Sequence, residues 1–419
     1  MTIGLGLLLA ACKQDSFLDK PRDDFPGYTE NPDDTGFVDT GETEEICETG
    51  LVYETEEGES LCIVFEHDQF DVDEFIGSSV LFDMNGDGDK DLYVATPGSQ
   101  NDFILLNQSG LWSKVDDTSG TELFGDSRSL LKVDLDGDGD EDLIRARADS
   151  VDVLQNTGGE SLLFDQTSLD VSLARTLLLN QDDLFVGTTN GLKVFQQTTD
   201  WEFGENLASD LNVFDAGEAN ALVSADFNDD GFSDVFVSNI IGANRVFAGQ
   251  KDGRYEFIEE ELGLAGKGFD ASVGAMVFDL NGSQSILVGY EDTSDELFVK
   301  NDEGKYEDQA AKFELSNDGS SCLFAQQQLV EEGPQVIAVA GCHETDSLLV
   351  EHPVLNGFGN IESYENVAEA LGFDKEGVVG IHRLDFDQDG REDWLLVTMT
   401  NGIHLFYDRS YTGNFKYFP

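Results

Sequence analysis

The chain has 419 residues and a formal net charge of −63, from 86 acidic and 23 basic side chains. Its hydrophobic fraction of 40% is enough for a packed core, so the chain as a whole is not disordered. The charge argues against nucleic acid as a partner, because a phosphate backbone attracts clustered Lys and Arg. It favours divalent cations, which relieve repulsion between converging carboxylates. Outside the loops described below, solubility or adaptation to a salty medium accounts for the acidity equally well.

Residues 1–12 have the pattern of a bacterial lipoprotein signal peptide. Their apolar stretch is too short to span a bilayer as a mature helix, and it ends in LAAC, which resembles a lipobox with Cys12 as the lipidated residue. No Lys or Arg precedes the stretch, which departs from the usual signal pattern and is expected if the true start lies upstream of Met1. A plain secretory signal with an accidental cysteine is the alternative to a lipobox. We expect acyl chains on Cys12 to hold the protein on a membrane. Because Lys13 rather than Asp follows, we expect the outer membrane or the cell surface of a bacterium.

Four cysteines remain after Cys12, which fits two disulfides in an oxidising compartment. Local pairing, Cys47 with Cys62 and Cys322 with Cys342, is the simplest of the three connectivities. The midpoint of the second pair falls in the turn-like run EEGP at 331–334, between two apolar stretches, so these cysteines would face each other across a hairpin. Two buried free thiols are the alternative for that pair.

Residues 13–60 are rich in Asp, Glu, Thr, Gly and Pro and poor in apolar side chains. This composition predicts a flexible acidic tether. Its end is the exception, since a Cys47–Cys62 disulfide would close a hairpin around Gly58.

A nine-residue acidic pattern then recurs along the chain. It reads DMNGDGDKD at 83–91, DLDGDGDED at 134–142, DFNDDGFSD at 226–234 and DFDQDGRED at 385–393, and a fifth copy, DLNGSQS at 279–285, degrades after its start. The spacings between copies are one or two multiples of about 46 to 54 residues, so two units without an acidic loop are expected near residues 180 and 332. Apolar runs at 177–195 and 323–341 occupy those places, which makes seven units.

Each unit predicts four short strands. In the first unit these are 79–83, 92–96, 103–107 and 111–115, with Gly, Asn, Asp and Ser between them. No sustained 3.6-residue period occurs, so helices should be scarce. Four-stranded units at this period indicate an all-β, seven-bladed β-propeller over residues 61–419. A strand at 61–66 is expected to close the ring against the last blade, and a linear solenoid or a two-domain β-protein is the alternative fold.

The shared loop pattern, D-x-[DN]-x-D-G-x-x-D, indicates a calcium site. Oxygen ligands at positions 1, 3 and 5 curl around a cation that takes six to eight oxygens, while the Gly at position 6 permits a positive φ. Position 7 varies among Asp, Phe and Arg, as expected for a ligand that is a backbone carbonyl. The predicted ligands, at positions 1, 3, 5, 7 and 9 of the four loops, are Asp83, Asn85, Asp87, Asp89, Asp91, Asp134, Asp136, Asp138, Asp140, Asp142, Asp226, Asn228, Asp230, Phe232, Asp234, Asp385, Asp387, Asp389, Arg391 and Asp393.

An EF-hand, a magnesium site and a metal-free turn fit these loops less well. An EF-hand requires Glu at position 12 and flanking helices, whereas here Val94, Arg145, Val237 or Leu396 stands there within a strand-like run. Magnesium prefers a tight octahedron with retained waters. Metal-free Asx turns are the structural alternative. We therefore expect about four calcium ions, weak or no binding at the fifth copy and none in the two units without a loop.

The loops and the runs that follow them, such as DLYVA and DVFVS, resemble FG-GAP or VCBS repeats. The resemblance covers about residues 61–419. It implies a seven-bladed propeller like that of integrin α-chains, with each calcium in the hairpin between the first two strands of a blade.

No catalytic constellation stands out. The histidines are scattered, H-E-x-x-H and G-x-S-x-G are absent, and 86 acidic residues give no preferred pair for acid–base chemistry. Trp112, Trp201 and Trp394 suit blade packing better than sugar stacking. The sequence therefore favours a surface-anchored protein that binds or adheres to an unidentified protein or glycan. A carbohydrate-active enzyme and a structural subunit of an envelope complex are the alternatives.

Overall fold

The structure is a computed structural model that describes residues 47, 51–54, 60–98, 100–108, 111–115, 125–157, 164–199, 201–214, 217–268, 270–315, 321–330, 335–341, 343, 346–355 and 360–413. The predicted signal peptide, the lipidation site Cys12, most of the predicted tether, the turn residue Gly58 and Cys342 lie outside this part of the chain.

The first strands of the described chain are β1 (Val52–Glu54) and β2 (Ser60–Cys62), which pair with each other, and β3 (Phe65–Phe70), which belongs to the last blade. Seven four-stranded antiparallel sheets, the blades, include every later strand but one. Blade 1 consists of β4 (Ser78–Phe82), β5 (Asp91–Ala95), β6 (Phe103–Gln108) and β7 (Leu111–Val115). Blade 2 consists of β8 (Ser127–Val133), β9 (Asp142–Arg147), β10 (Val151–Asn156) and β11 (Phe164–Leu169). Blade 3 consists of β12 (Ala174–Asn180), β13 (Asp183–Thr188), β14 (Gly191–Gln197) and β15 (Phe203–Asn206).

Blades 4 to 6 repeat the arrangement, with a four-residue helix after the last strand of each. Blade 4 consists of β16 (Ala219–Ala225), β17 (Asp234–Asn239), β18 (Arg245–Gly249) and β19 (Tyr255–Phe257), followed by α1 (Glu259–Leu262). Blade 5 consists of β20 (Ser272–Leu280), β21 (Ser283–Tyr290), β22 (Glu296–Lys300) and β23 (Tyr306–Asp308), followed by α2 (Ala310–Phe313). Blade 6 consists of β24 (Ser321–Gln328), β25 (Gln335–Gly341), β26 (Leu349–Leu355) and β27 (Ile361–Asn366), followed by α3 (Ala368–Leu371). Blade 7 takes β28 (Val378–Leu384), β29 (Asp393–Thr398) and β30 (Ile403–Asp408) from the C-terminal end, and β31 (Tyr411–Gly413) follows it.

The seven predicted units are confirmed, including the two without an acidic loop, which are blades 3 and 6. In blade 1, each predicted strand agrees with the observed one to within a residue at either end. Apolar residues alternate or run in short blocks because each blade packs against a neighbour on both faces. The buried apolar side chains of the described residues accordingly form seven clusters, each shared by two consecutive blades, and one of them joins blade 7 to blade 1.

The ring closes through β3, which pairs antiparallel with β30 and becomes the outer strand of blade 7. The expected closing strand at 61–66 is therefore displaced, since only its last two residues belong to β3. The apolar residues that suggested it have other roles. Ile63 is fully buried against blades 6 and 7, while β2 pairs with β1 and β31 in a separate three-stranded sheet.

One predicted disulfide lies in this small sheet. Cys47 and Cys62 are bonded, with 5.5 Å between their Cα atoms, and β1 pairs with β2 as the predicted hairpin requires. The second predicted hairpin is also present, since β24 pairs with β25 on either side of residues 331–334. Cys322 at its inner end is disulfide-bonded.

Blades 1 and 2 also share a fully buried ionic group. The guanidinium of Arg145 lies 2.9 Å from the carboxylate of Asp152 and 3.4 Å from that of Asp102, and Tyr93 and Ser127 donate to the same oxygen of Asp102. Three buried charges are tolerable only because each is paired and hydrogen-bonded. Arg145, a residue without special meaning in the repeat pattern, thus ties two blades together.

Candidate metal centres

The four acidic loops occupy equivalent places in the ring. Each connects the first strand of a blade to the second, in blades 1, 2, 4 and 7. The starts of the first strands of all seven blades line one cavity at the centre of the ring. All first strands therefore run away from that face, and the four loops, which follow their far ends, lie together on the opposite face.

The fifth copy is not such a loop. There β20 and β21 are joined by a two-residue turn, Asn281-Gly282, with both residues at positive φ, which is the Asn-Gly hairpin turn. The carboxylate of Asp279 accepts a hydrogen bond from the backbone N–H of Gly282, and Asn281 is bonded to the backbone of Ile361 in blade 6. This copy has been shortened into an ordinary hairpin.

In the intact loops the side chains at positions 1, 3 and 5 turn inward. Both oxygens of Asp83 accept backbone N–H groups, from Gly86 and Gly88 at 2.8 Å. In every other loop the position-1 aspartate also accepts the N–H of the position-6 glycine, while its second donor is the N–H of position 4 in blade 2 and of position 5 in blades 4 and 7. Positions 3 and 5 each accept the N–H two residues further on. These bonds curl the backbone around a common centre.

The predicted need for glycine at position 6 is confirmed, with φ between 88° and 100° in all four loops. Position 4 also has positive φ, which sequence reasoning missed. Gly86 and Gly137 adopt it without cost, whereas Asp229 and Gln388 do so in the other two loops. The curled backbone therefore depends on two left-handed residues per loop.

In two of the loops, three carboxylates converge. One ligand atom each from Asp134, Asp136 and Asp138 lie within 4.8 Å of one another, and so do those of Asp385, Asp387 and Asp393. In the other two loops an Asn replaces one of these carboxylates, and its amide donates to the position-5 aspartate at 2.9 Å. Clustered carboxylate and amide oxygens are hard donors, and they fit Ca²⁺. That positions 1, 3, 5, 7 and 9 bind metal stays a prediction.

The aspartate at position 9 has a second task in every loop. Its Oδ2 accepts the backbone N–H of position 2, and its Oδ1 accepts a backbone N–H from the third strand of the blade, at distances of 2.7 to 2.9 Å. The four residues that share this arrangement are Asp91, Asp142, Asp234 and Asp393, each 0 or 1% exposed. The position-9 aspartate therefore joins the loop to the third strand of the blade through hydrogen bonds that involve no cation.

Burial controls the charge of these four carboxyls. It raises the pKa of Asp393 to about 7 and those of Asp91, Asp142 and Asp234 to about 6, while the two backbone N–H donors act in the opposite direction. The carboxylates at positions 3 and 5 of the same loop add to the rise in the pKa of Asp142 and Asp393. A cation in the loop would counter that repulsion.

The loop of blade 7 differs because it has cationic partners of its own. Arg409, directly after β30, lies 2.8 Å from the carboxylate of Asp387 and 3.2 Å from that of Asp389, and Arg391 lies 2.6 Å from Asp389. Arg409 also contacts Glu66 of the closing strand at 3.1 Å. The acidic loop is thus neutralised in part by the protein itself.

The histidines, scattered in sequence, make two contacts that sequence reasoning could not find. His67 and His404 are 3.1 Å apart through Nε2 and Nδ1, and His382 lies 2.8 Å from the hydroxyl of Ser79. Burial lowers the pKa of His382 and His404 to about 4, so both are neutral at physiological pH. The Ser79 side chain is buried between blades 7 and 1, with little access to solvent. Trp394 is fully buried and donates to a backbone carbonyl, as blade packing requires.

These features define the chain as a seven-bladed β-propeller with acidic hairpin loops on one face. It carries FG-GAP-like repeats, because residues 83–145 and 226–284 match the FG-GAP-like repeat family. The matched segments include the loops of blades 1, 2 and 4 and the shortened fifth copy.

Among solved structures, the chain is similar to the extracellular domain of a hybrid two-component system from B. thetaiotaomicron (15% identity, TM-score 0.50). The match covers 81% of this chain and 39% of that one, so this chain spans about two fifths of its length. It is also similar to BBS1N, crystallised in complex with ARL6DN (11% identity, TM-score 0.51, 82% of this chain and 96% of that chain). Both likenesses concern the fold alone.

No curated protein matches the sequence. Within the described residues, none of the helices has the length and apolar character that crossing a membrane demands.

Replacing Asp142 by Asn should destabilise the protein even in a chelator. An amide offers only one acceptor oxygen to the two backbone donors, and an unsatisfied buried donor costs about 1–3 kcal/mol. The matched control is Asp140→Asn, which removes the same charge from the same loop at a side chain without such bonds. Urea unfolding in EDTA measures both variants, and equal stabilities would contradict the metal-independent role of position 9.

Proposed function

We propose that this chain is a calcium-binding propeller, held at the bacterial cell surface by a lipid on Cys12, that binds a protein or glycan and is not an enzyme. The observation that carries the metal proposal is the convergence of Asp134, Asp136 and Asp138, whose oxygens lie within 4.8 Å of one another on a backbone already curled around them. Carboxylates so close repel one another unless a cation intervenes.

Calcium suits these loops better than a transition metal does. Their side chains offer carboxylate and amide oxygens, and no His or Cys belongs to any of the four. In such a site, positions 1, 3 and 5 would hold the ion through their side chains and position 7 through its carbonyl. The ion would supply positive charge and would fix the turn between two strands, so its role is structural.

The proposed binding role is supported by the repeat family and by the described architecture. The FG-GAP-like repeats form a ring, and His382 and His404, which could have served as acid–base groups, are buried and neutral inside it. An extracellular domain with a similar fold occurs in the B. thetaiotaomicron system. The proposed anchor and tether, residues 1–12 and 13–60, would place such a ring outside the cell.

Calcium should stabilise the protein, and Asp138→Asn should remove part of this effect. For Kd values of about 10⁻⁴ to 10⁻³ M, typical of extracellular modules, 10 mM calcium adds on the order of 1.4–2.7 kcal/mol per ion. Thermal unfolding with calcium, with magnesium and with EDTA measures the effect, and Asp140→Asn is the matched control. A melting temperature that calcium leaves unchanged would contradict the metal proposal.

The loop of blade 7 should bind calcium more weakly than the loop of blade 2. Arg409 and Arg391 already pair with its carboxylates, so a cation must displace them or bind beside them. Arg409→Gln should therefore raise the number of ions, or the affinity of the weakest one, in isothermal titration calorimetry. Arg254→Gln, at an exposed turn, is the control, and a lower stoichiometry in Arg409→Gln would show that the prediction is wrong.

Binding can be tested with the soluble chain from residue 13 onward, which keeps Cys47 and therefore the disulfide to Cys62. Calcium-loaded protein is applied to whole cells, envelope extracts and glycan arrays, with chelated protein as the control. Saturable binding that chelation weakens is the expected result. Turnover of any polysaccharide would contradict the non-enzymatic role, and constant co-purification in an envelope complex would favour a structural subunit instead.

A further inference from the structure

The centre of the ring holds a cavity of about 540 Å³ on the face opposite the acidic loops. It is lined by residues at the starts of the first strands of the blades, by Gly341 at the end of β25, and by Gly77 and Met399 from the neighbouring connections. This volume is in the range of pockets that bind small organic molecules. Among the described residues that line it, none is acidic, although the chain carries 86 acidic side chains.

The lining is divided chemically between two arcs. Blades 2 to 4 contribute a polar arc that consists of Arg128, Ser129, Arg175, Thr176 and Asn220. Blades 5 to 7 contribute an apolar arc in which Leu323, Val379 and Met399 are half-buried, with the buried Val273 and Val378 behind them. A ligand that fills the cavity therefore meets cationic donors on one side and aliphatic carbon on the other.

Arg175 is a fixed part of the polar arc. Its guanidinium pairs with Glu218 at 2.6 Å and donates to the side-chain oxygen of Asn220 at 3.0 Å. The amide of Asn220 in turn donates to the backbone carbonyl of Val273 at 2.6 Å. These contacts connect blade 3 to blade 5 through Asn220 and hold the side chain of Arg175 in place.

Arg128 is the available cation. The carboxylate nearest to it, Asp126, is 3.8 Å from its Nε, beyond hydrogen-bond distance, and that carboxylate accepts the N–H of Gly98 instead. Within the described part of the chain, the guanidinium of Arg128 donates no hydrogen bond, and about a third (35%) of its side chain is exposed. An Arg fork of this kind matches a carboxylate in a bidentate geometry.

We propose that the cavity at the centre of the ring binds an aliphatic carboxylate, with its anionic group on Arg128 and its hydrocarbon body on the apolar arc. A monoanion fits better than a dianion because the polar arc offers one guanidinium, that of Arg128, without a hydrogen-bonded carboxylate, whereas Arg175 is already paired with Glu218. An aliphatic body fits better than a sugar because the described residues that line the cavity include no aromatic ring. A fatty acid and the C-terminal aliphatic residue of a peptide share this chemistry.

This inference names a ligand class for the proposed binding role and does not depend on calcium. Octanoate is the first probe, titrated calorimetrically into the full chain, with octanamide and acetate as controls for charge and for hydrocarbon. An acetylated dipeptide that ends in leucine is the second probe, with its C-terminal amide as the control for charge. The affinity of the peptide acid relative to that of octanoate shows whether the cavity prefers a peptide C-terminus or a fatty acid. We expect the acids with a hydrocarbon body to bind at least tenfold more tightly than octanamide, acetate or the peptide amide.

Two variants test the contact itself. Arg128→Gln should weaken octanoate binding at least tenfold, and Ser129→Asp, which adds a carboxylate to the polar arc, should do the same. Arg254→Gln is the control for loss of one remote charge, and unchanged thermal unfolding shows that each variant is folded. Absence of octanoate and peptide-acid binding, equal binding of octanoate and octanamide, or undiminished binding in both variants would overturn the inference. The calcium-dependent melting of the wild-type chain would be unaffected by any of these results.

Discussion

The antiparallel pairing of β3 with β30 is the interaction on which the ring depends. Each interior blade is held by apolar clusters shared with two neighbours, but a linear array would leave the outer faces of blades 1 and 7 in water. Placing residues 65–70 beside residues 403–408 in one sheet brings those two faces together and buries them against each other. The Cys47–Cys62 disulfide and the small sheet of β1, β2 and β31 fasten the chain next to this junction.

The two faces of the ring have different chemistry because the first strands all run through it in one sense. The ends of these strands carry the acidic loops, where the position-9 aspartates satisfy backbone donors and the other carboxylates converge. The starts of the same strands line a cavity without acidic side chains, where Arg128 and Arg175 lie. A cation bound to the acidic loops and an anion bound in the central cavity would therefore contact different side chains on opposite faces of the ring.

The period of the acidic pattern was enough to count seven blades and to place the strands of the first to within a residue. It also located the shortened fifth copy, where Asn281-Gly282 forms a tight hairpin. The position-9 aspartates were assigned to metal, but their hydrogen bonds to the third strand of the blade could not be predicted from spacing, because that donor lies fourteen to sixteen residues further on. The predicted closing strand began four residues before the observed one, β3. An outer strand needs few apolar residues, and the sequence of β3, FEHDQF, therefore gave a weak strand signal.

By itself, the sequence determined the repeat, the loops that curl around converging oxygens and the hairpins that the cysteines flank. Such features are local, since they depend on residues within a few positions of one another and on the backbone freedom of glycine. Other contacts appear only once the blades are assembled. They are Arg145 with Asp102, Arg409 with the acidic loop of blade 7, His67 with His404 and the two arcs of the central cavity. Spacing in the sequence could not show these contacts, because packing of the blades and closure of the ring bring together side chains that are up to 343 residues apart.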